Sequence, residues 1–261
     1  MALVSVRGLK KYFESVKAVD GISFDIRKGE VFGLLGPNGA GKTTTIKLLL
    51  GLLEPLEGYI DVLGYETLRN DVKIKERVGY VAEESLIFRS LTPRDLFNFI
   101  VSIRGIDEQE AEKRVKEYLE SLDAEQYYDK IIETLSQGNK QKIQIIAAIL
   151  HNPDLLILDE PLAGLDAKSA RVVKEIIDLH IKDQGAVLFS THIMEVAERI
   201  CDRIAIINKG KIVAIGTMEE LREKSDKLGA NLEEVFLKLT EQNESVNKII
   251  KKLKKSSNNK M

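Results

Sequence analysis

Gly36-Pro37-Asn38-Gly39-Ala40-Gly41-Lys42-Thr43 fits the pattern G-x-x-x-x-G-K-[ST], and its neighbours supply the context that pattern needs. Before it, the apolar run Val31-Phe32-Gly33-Leu34-Leu35 reads as a buried strand; after it, Thr44 to Leu50 reads as a helix. Strand, glycine loop and helix in that order aim backbone N–H groups and a positive helix end at one point, where phosphate oxygens are held. Glycines at 36, 39 and 41 allow the tight turn. Residues Gly36 to Thr43, with Thr44 behind them, are the candidate phosphate cradle. In it Lys42 would reach the β- and γ-phosphates and the Thr43 hydroxyl would ligate Mg²⁺.

Further along, the apolar strand Leu155-Leu156-Ile157-Leu158 ends in Asp159-Glu160. Two adjacent carboxylates at a strand end beside a phosphate loop have a natural division of labour. Asp159 would bind the metal, and Glu160 would orient and polarise an attacking water. His192 follows Phe189-Ser190-Thr191 at another strand end, where it could hydrogen-bond the γ-phosphate.

Composition narrows the class. The 261 residues carry 39 Lys and Arg against 41 Asp and Glu, a net charge of −2, which makes no electrostatic case for nucleic acid as a partner. One cysteine, Cys201, excludes an internal disulfide framework and suits a reducing compartment. No apolar run approaches the roughly 20 residues needed to cross a bilayer, and residues 1–7 lack the form of a signal peptide, so a soluble cytosolic protein is expected.

Strand-like patterns cover Leu3 to Val6, Ile22 to Ile26, Gly58 to Gly64 and Val78 to Val81. From Leu91 to about Glu133 the pattern turns helical, with capping-box starts at Thr92-Pro93-Arg94-Asp95 and Asp107-Glu108-Gln109-Glu110. The α/β alternation then resumes: strand Leu155 to Asp159, helix Ala167 to Lys182, strand Ala186 to Ser190, helix His192 to Ile200 and strand Arg203 to Ile207. A glycine hairpin turn at Asn208 to Lys211 and a helix start at Thr217 to Glu220 follow. This alternation argues for a parallel sheet covered on both faces, with ligand at the carboxyl ends of its strands.

Leu135-Ser136-Gln137-Gly138-Asn139-Lys140-Gln141-Lys142 decides the family. Lying between the two nucleotide motifs, it resembles the Leu-Ser-Gly-Gly-Gln signature of ATP-binding cassette (ABC) transporter subunits over roughly residues 3 to 225. The resemblance implies an α/β fold: a P-loop NTPase, RecA-like core with an N-terminal antiparallel β subdomain and an inserted helical subdomain at about 84–134. Residues 1–225 would form the ATPase domain and 226–261 a helical, basic tail. The basic stretch Lys248 to Lys255 has the spacing of a short amphipathic helix, open to a solvated end or to contact with anionic lipid.

By its residues alone, Ser136-Gln137-Gly138 is a serine N-cap before a helix from Lys140 to Leu150, and a hydroxyl, a glycine N–H and a helix N-terminus make a second anion site. In the family that site faces the γ-phosphate held by a partner's phosphate loop, so Ser136 and Gly138 would act across a head-to-tail dimer with two ATP molecules between the copies. On the same resemblance Tyr12 matches the aromatic that stacks on adenine, with Phe13 beside it as the other available ring. Ala163-Gly164-Leu165-Asp166 matches the loop that crosses the dimer interface, with Asp166 also placed as a helix N-cap.

The resemblance implies ATP and Mg²⁺ as cofactors and a separate membrane-spanning permease, gripped near the Glu83 loop and residues 84 to 105. A second copy or a paralogous cassette would complete the assembly on the inner face of the cell membrane. Asn38-Gly39-Ala40, Gly138 to Gln141 and the ending Asn231 to Thr240 look most like cassettes of the ABC-2 exporter group. A soluble single cassette with a non-membrane partner, and a P-loop kinase, are the rival classes. The sequence departs from the family pattern at Gln137 and Asn139, and at Glu83, which stands where many members carry glutamine.

Glu83 would touch Mg²⁺ or the attacking water, and a carboxylate cannot donate the hydrogen bond that an amide can. Glu83→Gln is expected to keep ATP binding and change turnover. A loss of ATP affinity as large as that of Lys42→Ala, measured by equilibrium binding, would overturn that role.

Overall fold

Strand β1 (Ala2–Phe13) buries Val4, Val6 and Leu9 while Arg7 and Gly8 face solvent, so the in–out alternation slips by one residue at a bulge between Val6 and Leu9. Strand β2 (Val16–Arg27) runs antiparallel to it and buries Val19, Ile22, Phe24 and Ile26. Both strands are far longer than the cores read from sequence, because a bulged strand breaks the strict period of two that marks a strand. A computed structural model of the chain describes residues 2–84, 89–226 and 229–240.

Strand β3 (Val31–Leu35) feeds the glycine loop and helix α1 (Lys42–Leu49). Strands β4 (Glu57–Val62) and β5 (Tyr65–Glu66) return to the first sheet, whose order is β2-β1-β4-β5, antiparallel throughout. Helix α2 (Asp71–Arg77), which the sequence reading did not anticipate, is a short turn of mostly polar residues anchored by the buried Ile74. Strand β6 (Val78–Val81) follows directly.

Helices α3 (Pro93–Arg104) and α4 (Glu108–Ser121) lie in the helical stretch read at 91–133, and α5 (Gln137–Ile149) follows it. At α3 the capping box is complete, with Thr92 and Asp95 bonding each other's backbone. At α4 it is half made. Asp107 accepts from the Glu110 N–H, but the Glu110 carboxylate turns to Arg114 one helical turn on instead of back to the cap.

Strand β7 (Leu155–Asp159), helix α6 (Ala167–Lys182), strand β8 (Ala186–Thr191), helix α7 (Met194–Ile200) and strands β9 (Arg203–Asn208) and β10 (Lys211–Gly216) complete a second sheet of order β10-β9-β3-β8-β7-β6. Five strands run parallel, and β10 joins antiparallel through the hairpin at 208–211. The hairpin turn expected at 208–211 thus adds one antiparallel edge strand to the expected parallel sheet, since a two-residue turn can only reverse the chain. Helix α7 starts at Met194, so His192 lies in the turn before it and not in the helix.

Burial on both faces explains the unbroken apolar runs. Leu155 and Ile157 pack with Ile46, Leu48 and Leu49 of α1, while Leu156 and Leu158 pack with Ile143 and Ile146 of α5 and Val173 and Ile177 of α6. A third cluster joins Leu35, Ile204 and Ile206 to Leu221 of helix α8 (Met218–Lys224) and to Leu232, Val235 and Phe236 of helix α9 (Leu232–Leu239). Each of those buried side chains contributes about 2 kcal/mol of apolar transfer, enough to hold a two-turn helix that would not persist alone. The basic stretch Lys248 to Lys255 lies outside the described residues.

The start of β3, and with it the phosphate loop, is pinned by a buried ion pair. Arg203 reaches both Glu30 carboxylate oxygens at 3.0 and 3.1 Å, and the Arg27 N–H donates to the same carboxylate at 2.5 Å. Arg203→Met would strand Glu30 in the interior and is expected to cost about 3 kcal/mol of unfolding free energy. Chemical denaturation tests this, and adding Glu30→Gln should restore part of the loss.

Candidate functional site

The glycine loop closes against two other parts of the chain. Gly41 adopts φ 109°, and a Cβ there would lie 2.3 Å from the Ala18 carbonyl oxygen of β2, so both the backbone angle and the close approach demand glycine. The Gly210 N–H of the β9–β10 turn donates to Ala40 O at 2.9 Å. Pro37, Asn38 and Gly39 are left exposed at the tip.

Lys42 is buried, and its ammonium donates to the loop carbonyls of Gly36 at 2.7 Å and Pro37 at 3.3 Å. Burial lowers its pKa, opposed by the charges of Glu160, Asp159 and Glu83. Those three carboxylates, from two segments of the chain, therefore act on one cation. Glu83 itself is exposed, two residues beyond β6.

The Thr43 hydroxyl donates to Asp159 Oδ2 at 2.8 Å, across 116 positions of sequence. Asp159 has no exposed surface, and its Oδ1 has no hydrogen-bond partner among the described residues; the Ser190 hydroxyl on β8 is in the same state. A buried carboxylate oxygen left open beside a threonine hydroxyl is a hard-oxygen donor set that fits Mg²⁺, which takes one or two protein ligands and completes its shell with phosphate and water. No cluster of three or more acidic, His or Cys side chains competes for a metal among the described residues.

Glu160 sits at φ 50°, a left-handed conformation that costs a non-glycine residue of order 1 kcal/mol and recurs at functional sites. Its side chain is 6% exposed and fully engaged: Oε2 accepts from the Thr191 hydroxyl at 2.9 Å, and Oε1 accepts from the His192 N–H at 2.8 Å and faces His192 Nδ1 at 2.6 Å. An ionised Glu160 requires the proton on Nδ1. Nε2 can then donate to a phosphate oxygen only from the imidazolium form.

Ser136, Gly138 and Asp166 form a second group. Ser136 caps α5, accepting from Asn139 N at 3.3 Å, and is exposed. Gly138 meets the loop after Glu160 so closely that a Cβ would lie 2.3 Å from Gly164 O. Asp166 caps α6 and is held down to about 2, chiefly by the Ser169 backbone N–H and hydroxyl, with Lys142 at 3.7 Å. Among the described residues no hydrogen bond or ion pair joins this group to the phosphate loop. Helix α5 runs from Lys140 back to Gln137, three residues earlier than the sequence reading, because the Ser136 cap acts at once.

Tyr12 donates its hydroxyl to Asp20 at 2.7 Å, and the Lys17 ammonium lies 5.3 Å from the ring centre. The Asp20 N–H in turn bonds Gly210 O at 2.8 Å, on the turn that supports the loop. Phe13 is 45% exposed, with the Lys11 ammonium 5.5 Å from its ring but no hydroxyl to tie it down, which favours Tyr12 as the fixed aromatic.

Sequence reasoning missed Thr191 and three buried polar residues of α5: Gln141, Lys142 and Gln144. The signal was present as three polar side chains on a helix whose other positions, Ile143, Ile145, Ile146 and Ile149, are apolar all round. Their partners, carbonyl oxygens of Pro161, Leu122 and Ala82, leave no trace in the sequence.

A family model described as ABC transporter matches residues 19–163, more than half of the chain. The chain belongs to the ABC transporter family. Within that family it is an ATP-binding domain with ATPase chemistry. An ABC transporter ATP-binding protein of Methanocaldococcus jannaschii is 40% identical over 85% of this chain and 80% of its own length. The bacitracin transport ATP-binding protein of Bacillus licheniformis is 34% identical over 94% and 77%, and the linearmycin resistance ATP-binding protein of Bacillus subtilis 39% over 84% and 70%. The solved structure of an ATP-binding subunit of an ABC transporter superposes with a TM-score of 0.87 at 32% identity, covering 91% of this chain and 99% of that one.

Burial raises the Asp159 pKa above its ordinary 3.8, against the opposing pull of the neighbouring Ser190 and Thr43 hydroxyls and of Lys42. The stability this residue contributes is present below that ordinary value and is lost as pH rises through the raised one. Asp159→Asn is therefore expected to melt a few degrees higher than the natural protein at about pH 7 without nucleotide, with the gap closing towards about pH 4. Thermal melts at the two pH values check this.

Proposed function

We propose that this ABC ATPase drives a separate membrane permease, as an exporter subunit, by closing head to tail on a second copy of itself or a paralogous cassette around two ATP molecules. The observation that carries the dimer is the separation of two anion-binding surfaces: the phosphate loop with Lys42 on one, and the exposed α5 N-terminus with Ser136 and Gly138 on the other. A chain with two halves of a site, apart from each other, needs another chain to complete either.

In the assembled site Tyr12 stacks on the base, and Gly36 to Thr44 hold the phosphates with Lys42 neutralising charge. Thr43 and Asp159 would hold Mg²⁺, with Glu83 at its edge; when bound, the ion neutralises charge building on the phosphate oxygens. Glu160 takes the proton from the attacking water, and His192, bonded to it at 2.6 Å, keeps the carboxylate aimed. Ser136 and Gly138 of the second copy add a hydroxyl and a backbone N–H at the γ-phosphate, and Asp166 shapes the loop between the two sites.

The permease reading is supported by a groove of about 370 Å³ between α2, α3 and α5, lined by Leu52, Tyr80, Ile100, Ile103, Arg104 and His151. Leu52 is 50% and Ile103 61% exposed, an apolar surface beside the Glu83 segment. No helix among the described residues is long and apolar enough to cross a membrane, so the span belongs to the partner in this reading, and the chain works peripherally on the cytoplasmic face. The export direction is supported by a relative of Ralstonia nicotianae named a Nod factor export ATP-binding protein, 33% identical over 90% of this chain and 72% of its own length.

Glu160→Gln is expected to lose at least about 100-fold in turnover while binding ATP. With ATP and Mg²⁺ its solution mass should shift from monomer to dimer, and Ser136→Arg should abolish the shift. A variant that binds ATP and stays monomeric at high concentration overturns the self-sufficient dimer.

A further inference from the structure

The loop that follows Glu160 is fastened to α5 at two points. At one end Gly138 abuts Gly164 O with no room for a Cβ. Nearer Glu160, Gln141, only 2% exposed, donates its side-chain amide to Pro161 O at 3.1 Å. One helix thus carries Ser136 at its cap and, little more than a turn along, the group that holds the peptide next to Glu160.

Glu160 needs such a hold. Its left-handed backbone persists only where the surroundings over-determine it. Two backbone bonds help, Glu160 N–H to Ser190 O at 2.9 Å and Ala163 N–H to Glu160 O at 3.1 Å, but Pro161 has no N–H to contribute. The Gln141 amide is the anchor from outside the loop and its own sheet. Burying a glutamine on a helix of isoleucines is costly unless its amide is used, and here it is used one residue from the carboxylate.

The geometry points to Gln141 as a positioning residue that ties the Glu160 carboxylate to the signature end of α5 in the same chain. It does not touch nucleotide. It transmits: a shift of the α5 N-terminus, when Ser136 engages phosphate across the dimer, moves Pro161 O and so re-aims Glu160. The two sites of the dimer are thereby linked through each chain's own α5, so that filling one tunes the water-activating group of the other. This inference rests on the proposed role of Glu160.

The test uses the full chain. Gln141→Leu keeps the volume and removes the donor. Expected are a fall in kcat of about tenfold or more, as for misplacement of a catalytic group, with KM and equilibrium ATP affinity within about twofold. The Hill coefficient for ATP should fall towards that of independent sites. Hydrogen exchange at the Ala163 amide should accelerate while the amides of β7 stay protected, a pattern that a general loss of stability would not produce. Should Gln141→Leu fail to fold, Gln141→Asn, which keeps the amide but withdraws it by one methylene, carries the same measurements.

An unchanged kcat, or one that falls only with the folded fraction, overturns the inference. Glu160→Gln separates this from failure of the underlying reading. If it abolishes turnover and Gln141→Leu does not, only the positioning role of Gln141 is lost; if it leaves turnover intact, the role of Glu160 goes and this inference with it.

Discussion

The bond from the Thr43 hydroxyl to Asp159 is the constraint on which the site depends. It joins the helix after the glycine loop to the end of β7, although β8 lies between β3 and β7 in the sheet. Asp159 is completely buried with one oxygen unanswered, so a charge is held where the protein alone does not solvate it. The parallel register of β3, β8 and β7, with Leu35 beside Thr191 and Asp159 beside Ser190, brings the three strand ends level and so sets the loop, Glu160 and His192 around one point.

Around that point the molecule divides its rigidity unevenly. Glu160 is immobilised on every side, by Thr191, His192, Ser190 and, through Pro161, by α5. Ser136, Gly164 and Asp166 are exposed. A rigid carboxylate and an open signature surface suit chemistry that waits for a second surface to arrive, since preorganised groups lose little at the moment of reaction.

Helix α5 is where these two properties meet. Its apolar side packs into the core with β7 and α6, and its three buried polar residues each spend a donor on a carbonyl of a different loop: Pro161, Leu122 and Ala82. The Ala82 bond places Gln144 one residue from Glu83, so the helix also touches the segment next to the apolar groove. One helix therefore contacts the groove, carries the signature at its cap and bonds the loop beside the carboxylate.

Much of this was legible in the sequence. The loop at 36–43, Asp159-Glu160, His192 and the serine cap at 136 are local patterns, in which residue type and short spacing carry the chemistry. Apolar runs likewise revealed the parallel strands, because burial on both faces leaves them no polar positions. What escaped were features whose cause lies elsewhere in the chain: the bulged lengths of β1 and β2, the diversion of Glu110 to Arg114, and the Gln141 and Gln144 bonds. By itself the sequence determined which groups exist and which elements carry them. Tertiary structure alone decided which groups meet, since a hydrogen bond between Thr43 and Asp159, or Gln141 and Pro161, depends on how distant segments pack, and packing of the whole core sets that distance.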